Sequence, residues 1–298
     1  MMRLGLNMAA QDADFIQTER QPDVAGGGVT GELQFQSSGF LLELSLDWIV
    51  QRASENIHEL LGESHVTLID EPLSAFVQAQ ALHDLRNHFS RLSGSTGVSK
   101  AYRVRLTDGR PRCDIAFQSS GSRVLLETVP SPEHGLGESL GAVGGLIDGL
   151  AELSSDALLE GAARRMRALS GSDGCRIAVG ERTATSDRGG FSLGNLGDDL
   201  PAIVADTSAE PVSIFPRKPN GGVIASALMR SPSPTTLQAL REQGIRSLMT
   251  VPICARNRAL GVMQFGSRSP RKPNLELHGA AELFGQMLAL RVEIDRHG

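Results

Sequence analysis

The run His83-Asp84-Leu85-Arg86-Asn87-His88-Phe89 holds the residue types of a phosphoacceptor box. There an exposed helical histidine attacks a γ-phosphate and an acidic neighbour takes its proton. That chemistry needs a nucleotide-binding box downstream, and neither Gly26-Gly27-Gly28 nor the later GVMQFG is one. Short motifs without their structural context are mostly false positives, so the run reads as an ordinary helix. His58, His65, His83 and His88 could supply a haem ligand, but no apolar slot accompanies them, and they read as surface helical histidines. Cys113, Cys175 and Cys254 are odd in number and unpaired in spacing, which argues against a disulfide framework and a CxxC zinc site. Cys254 sits in an apolar stretch and reads as buried and inert. With no Ser-His-Asp set, HExxH, P-loop or Rossmann fingerprint, an enzyme is not expected, and neither is a metal site.

The elements that would position any site follow from composition and periodicity. The chain has 298 residues, 40% hydrophobic and 21% charged, with a formal net charge of −5. That suits two globular domains and sets disorder aside. There is no basic stripe to bind nucleic acid, no run of ~18 apolar residues to span a membrane, and no secretory pattern at the start. A cytoplasmic location is expected. Residues 1–30 show little apolar periodicity and read as an N-terminal arm. FLLELSLDWIVQRAS (40–54) reads as two strands hinged near 45–47. SENIHELLG follows as a short helix, with Ser54 as N-cap and Gly62 as terminator. The stretch 74–92 reads as a second helix. Three strands come next, joined at Asp108-Gly109 and Ser120-Gly121. This order is an α+β domain over 31–130 with an antiparallel sheet. Beyond a Pro/Gly linker, a second domain spans 137–297. It holds two helices (the second capped by Ser154 or Ser155), a strand near 175–182, and a long loop-rich stretch at 183–236. A helix ended by Gly244, a hairpin at 247–267 and a long helix after Pro273 complete it. A loop of that length is normally functional.

The segment FQSSGFLLELSLDWIVQRASENIHELLG (35–62) resembles the first strand–helix unit of a phytochrome PAS domain, and VLLETVP (124–130) its last strand. RSPSPTTLQALREQGIRSLMTVPICARNRALGVMQFGSRSPRKPN (230–274) is similar to the core of a bacteriophytochrome GAF domain. The resemblance covers roughly 31–297. It implies a PAS domain followed by a GAF domain, each an antiparallel sheet flanked by helices, with the family's figure-of-eight knot. In that knot the arm, at Phe15 and Ile16 or Val24, would pass under 206–236.

Departures from the family's pattern bear on function. The arm lacks the cysteine that tethers biliverdin, and the alternative cysteine and its neighbouring histidine are Thr235 and Thr236 here. A hydroxyl does not replace a thiolate at neutral pH. The second pocket histidine corresponds to Gly266, and the PASDIP segment is absent. The resemblance therefore implies a bilin-free signalling module with no cofactor, acting through protein–protein contacts with an unknown downstream signalling protein. A homodimer is expected through Leu140, Val143, Ile147, Leu150, Leu277, Phe284 and Leu288. The alternative is a ligand-sensing module whose GAF pocket takes an anionic metabolite or a non-covalent tetrapyrrole. Its contacts would be Arg230, Ser233 and Thr250, which correspond to propionate-holding positions of the family. Arg230 could instead pair with a local carboxylate such as Asp206.

Overall fold

The computed structural model describes residues 34–90, 98–133, 137–196, 200–217, 222–255 and 258–297. The expected threading of Phe15, Ile16 and Val24 lies outside these residues. In the N-terminal half, strands β1 (Gln34–Gln36), β2 (Phe40–Ser45) and β3 (Val50–Ser54) precede short helices α1 (His58–Leu61) and α2 (His65–Leu68). Helix α3 (Ala79–Ser90), β4 (Ser99–Val104), β5 (Cys113–Ser120) and β6 (Arg123–Pro130) follow. Strands β2 and β6 are apolar at nearly every position because both faces of their sheet are covered. Leu42, Leu44, Val124 and Leu126 pack with Trp48, Ile57, Leu82 and Leu85 on the helix side. Leu41, Leu125 and Val129 point the other way, onto Ile203, Ile224, Met229 and Leu275.

The second half contains α4 (Gly137–Ala151), α5 (Leu158–Ser170), β7 (Gly174–Val179), β8 (Arg182–Asp187), β9 (Ile203–Val204) and β10 (Pro211–Phe215). Helix α6 (Pro234–Glu242), β11 (Ser247–Ala255), β12 (Arg258–Ser267) and α7 (Leu275–His297) complete it. Its antiparallel sheet runs β8-β7-β12-β11-β9. One face carries Ile177, Val251, Ile253, Met263 and Phe265 against Val143, Leu158, Met166, Phe284 and Leu288 of α4, α5 and α7.

Three features differ from the sequence expectation. Strand β10 leaves the second half altogether and inserts between β1 and β3, giving the first sheet the order β1-β10-β3-β2-β6-β5-β4. The stretch expected as loop thus contains β8, β9 and β10. Helix α3 begins only at Ala79, because the Gln78 N–H donates to the Leu106 carbonyl (2.8 Å) and Leu73–Ala75 forms a separate turn. Helix α5 begins at Leu158, and Ser154 caps only the preceding turn through the Ala157 N–H (3.4 Å). The hinge and turn glycines behave as expected: Gly62, Gly109, Gly121 and Gly244 all have positive φ.

Candidate functional site

In the second sheet, strand alternation puts Gly174, Leu248 and Gly266 on the face away from the helices. Gly266 pairs with both Gly174 and Leu248. Two of the three have no side chain, and Phe191 and Leu193 fill the space. A Cβ at Gly266 would lie 2.6 Å from Leu193 Cδ2 and 3.1 Å from the Phe191 ring; at Gly174 it would lie 2.7 Å from Phe191 Cδ1. Phe191 and Leu193 are buried with Val204, Leu240, Ile245 and Leu248 in one apolar cluster. Arg268 pins the segment that carries them. It donates to the carbonyls of Arg188 (3.2 Å) and Gly189 (2.8 Å), and its guanidinium lies 5.0 Å from the Phe191 ring centre. Asp173 ties Arg268 to the same corner by accepting its backbone N–H at 2.8 Å. Beside β9 and β11 a cavity of about 50 Å³ remains, lined in part by Ile203, Met249, Phe265 and Asn274. It has room for a few waters, against ~300–1,000 Å³ for a small-molecule pocket.

Two of the three candidate anion contacts take part in local structure, Arg230 through its backbone and Ser233 as a helix cap. Arg230 is half-buried, and its backbone forms a bridge to Phe35 while its carbonyl accepts from Gln36 Nε2 (3.3 Å). Ser233 is the N-cap of α6, accepting the Thr236 N–H at 3.1 Å. Thr250 lies on β11 with its hydroxyl buried and without a hydrogen-bond partner among the described residues. Asp206, the carboxylate suggested as a partner for Arg230, is held by Arg246 through a two-pronged contact (2.9 and 3.1 Å).

Among the residues expected at a dimer interface, Val143, Leu150, Phe284 and Leu288 lie inside the chain. Their side chains are buried in the chain's own core and are not available to a second copy. Ile147 packs partly on that core, Leu277 is half-buried beside the small cavity, and the Leu140 side chain lies outside the described ones. The apolar residues that α7 does expose are Leu283, Met287, Leu290 and Ile294.

His83 is exposed within hydrogen-bond distance of Asn87, and Asp84 accepts from Gln80. Burial pushes the Cys113 and Cys175 thiols up to about 12, which suits inert core residues. Cys254 is half-buried rather than buried.

Sequence reasoning passed over Glu127, which joins the two halves. It is 1% exposed on β6, facing the second half. Its two oxygens accept the backbone N–H groups of Leu228 (2.7 Å) and Met229 (2.9 Å), and Gln118 adds a third bond at 3.1 Å. Burial pushes its carboxyl up to about 7 despite those donors. Nearby, Lys100 of β4 pairs with Glu282 of α7, and His278 approaches the same carboxylate at 3.5 Å. Burial raises Glu282, but His278 and Lys100 outweigh it and bring the carboxyl down to about 2. The legible signal for Glu127 was a lone charge inside VLLETVP, a run otherwise fit for burial on both faces.

Comparison with known proteins fits this layout. Residues 154–295 match the GAF domain family. No curated protein sequence matches the chain. Among solved structures, the chromophore-binding domain of a Stigmatella aurantiaca bacteriophytochrome is 21% identical with a TM-score of 0.71, covering 87% of this chain and 95% of that one. The chromophore-binding domain of an unusual bacteriophytochrome from R. palustris is also 21% identical with a TM-score of 0.71, covering 89% and 96%. No helix among the described residues is long and apolar enough to cross a membrane. Residues 154–295 thus match the GAF domain family, and the chain has the α+β fold of the bacteriophytochrome chromophore-binding domains.

Proposed function

We propose that this chain is a bilin-free, phytochrome-like PAS–GAF signalling module that works through protein contacts rather than light or catalysis. The observation that carries this reading is the filled sheet face. Phe191 and Leu193 occupy the space over Gly174 and Gly266, and Gly266 stands where the resemblance would place a pocket histidine. A pocket closed by the chain's own apolar side chains leaves a tetrapyrrole no dry slot. The missing thiols in the arm and at Thr235 leave it no covalent tether. Incubation with biliverdin should therefore give no zinc-dependent fluorescence on a denaturing gel, and a fluorescent band at the mass of the chain would contradict the reading.

Signalling through protein contacts needs a surface, and α7 offers one. Leu283, Met287, Leu290 and Ile294 follow a 4-3-4 spacing, which is the seam of a coiled coil. Ile294 is 67% exposed, and four such side chains in a line are more than a solvated helix needs. A homodimer through this seam is the expected state. Light scattering at tens of micromolar should give twice the monomer's 31.7 kDa, and Leu290→Glu should halve the mass without unfolding the chain. A wild-type chain at the monomer mass would refute the dimer.

A further inference from the structure

We propose that the groove between α3 and β4 is a binding site for a small phosphate-bearing anion. Strand β4 is interrupted: Ala101 pairs with Ile115, but the next pair is Val104 with Cys113, so Tyr102 and Arg103 bulge out of the ladder. Arg103 takes a left-handed backbone, φ 56°, which is unfavourable for a residue with a side chain. The surroundings enforce it. Asp114, 0% exposed, accepts the Arg103 N–H at 2.9 Å and the Ser131 hydroxyl at 2.5 Å. Arg112 closes the other side by donating to the Arg103 carbonyl at 2.9 Å. Bulges commonly re-aim side chains at functional sites.

What this bulge achieves is to gather Arg103, Arg105 and Arg112 on one groove of about 390 Å³, with His88 and Asn87 of α3 on its far wall. All three arginines are exposed. Each guanidinium has five donors; Arg103 spends one side-chain bond on the Pro132 carbonyl and Arg112 one on Arg103. Arg105 makes no side-chain hydrogen bond or ion pair among the described residues. The carboxylate lining the groove is Asp84, which already accepts from Gln80 at 2.9 Å. Three like charges brought together repel, and an anion that bridges them removes the repulsion. The guanidinium fork matches phosphate oxygens, and three forks suit an anion with more than one charge and several acceptor oxygens. The volume lies within the range of small-molecule sites. Nothing in this inference depends on the state of the GAF face.

Calorimetric titration of the full chain with inorganic pyrophosphate tests it. Saturable binding is expected, about tenfold weaker in Arg105→Ala and in Arg112→Ala, the loss of one charge-assisted contact. Arg105→Lys should weaken it as well, because charge is kept while the fork is lost. Arg164→Ala, a remote exposed arginine on α5, should leave it unchanged. Arg105 is exposed and makes no side-chain hydrogen bond or ion pair among the described residues, so its variants keep the fold. No saturable binding at millimolar pyrophosphate, or an equal loss in Arg164→Ala, overturns the proposal.

Discussion

Replacing Gly261 with alanine is expected to lower the stability of the chain by about 3 kcal/mol, the cost of forcing atoms into a packed site. Gly261 pairs with Val179 where β12 crosses β7, and a Cβ there would lie 1.9 Å from the Ala178 carbonyl oxygen and 2.9 Å from Val179 Cα. Both contacts are backbone, so no side chain can rotate away. Gly144 provides the control, since it lies on α4 and a Cβ there would meet nothing within 4 Å. Gly144→Ala should be neutral or stabilise by about 0.5–1 kcal/mol, as expected for an open helical position. Urea unfolding of both variants reads the difference directly. An unchanged midpoint for Gly261→Ala would mean that the β7–β12 approach is looser than described.

Glu127→Ala should cost about 3 kcal/mol, because the buried N–H groups of Leu228 and Met229 would each lose an acceptor. Glu127→Gln keeps one acceptor oxygen and should cost less. The two variants also differ from wild type in pH dependence. Burial raises the folded carboxyl from 4.5 to about 7, so the folded chain binds a proton that the unfolded chain has released between those values. The associated stability is fully present below about pH 4.5 and is lost as pH rises through about 7. The glutamine variant has no such proton to lose, so the fall in stability between pH 5 and 7.5 should be shallower in Glu127→Gln than in wild type. Parallel curves for the two chains would remove Glu127 from the account.

Local physics explains what the sequence made legible. The doubly buried strands of the first sheet announce themselves as FLLEL and VLLETV, and the turn glycines mark positions that only a left-handed backbone can take. The helices show through their stripes, although a stripe says that a face is buried and not against what. Hence Phe284 and Leu288 could be read as a dimer face although they are buried in the core of the second half. Strand β10 was not legible because PVSIF is short, contains a proline, and pairs with residues more than 150 positions earlier. Strand β8, RTATSD, has one apolar residue, the buried Ala184, and is laddered to β7 along its length, so no hydrophobic alternation reveals it. The filling of the GAF face depends on two glycines from different strands meeting two apolar residues of a Gly/Ser-rich stretch. The arginine groove depends on a bulge, and no pattern of residue types encodes where a ladder will slip.

Biliverdin added in excess to the purified chain, followed by gel filtration and a visible absorption spectrum of the protein fraction, tests the central claim most directly. With Phe191 and Leu193 packed over Gly174 and Gly266, the protein fraction should carry no visible band, and the result should not change on illumination. A retained, saturable visible band at one pigment per chain would contradict the bilin-free account and show that the apolar filling gives way to a ligand.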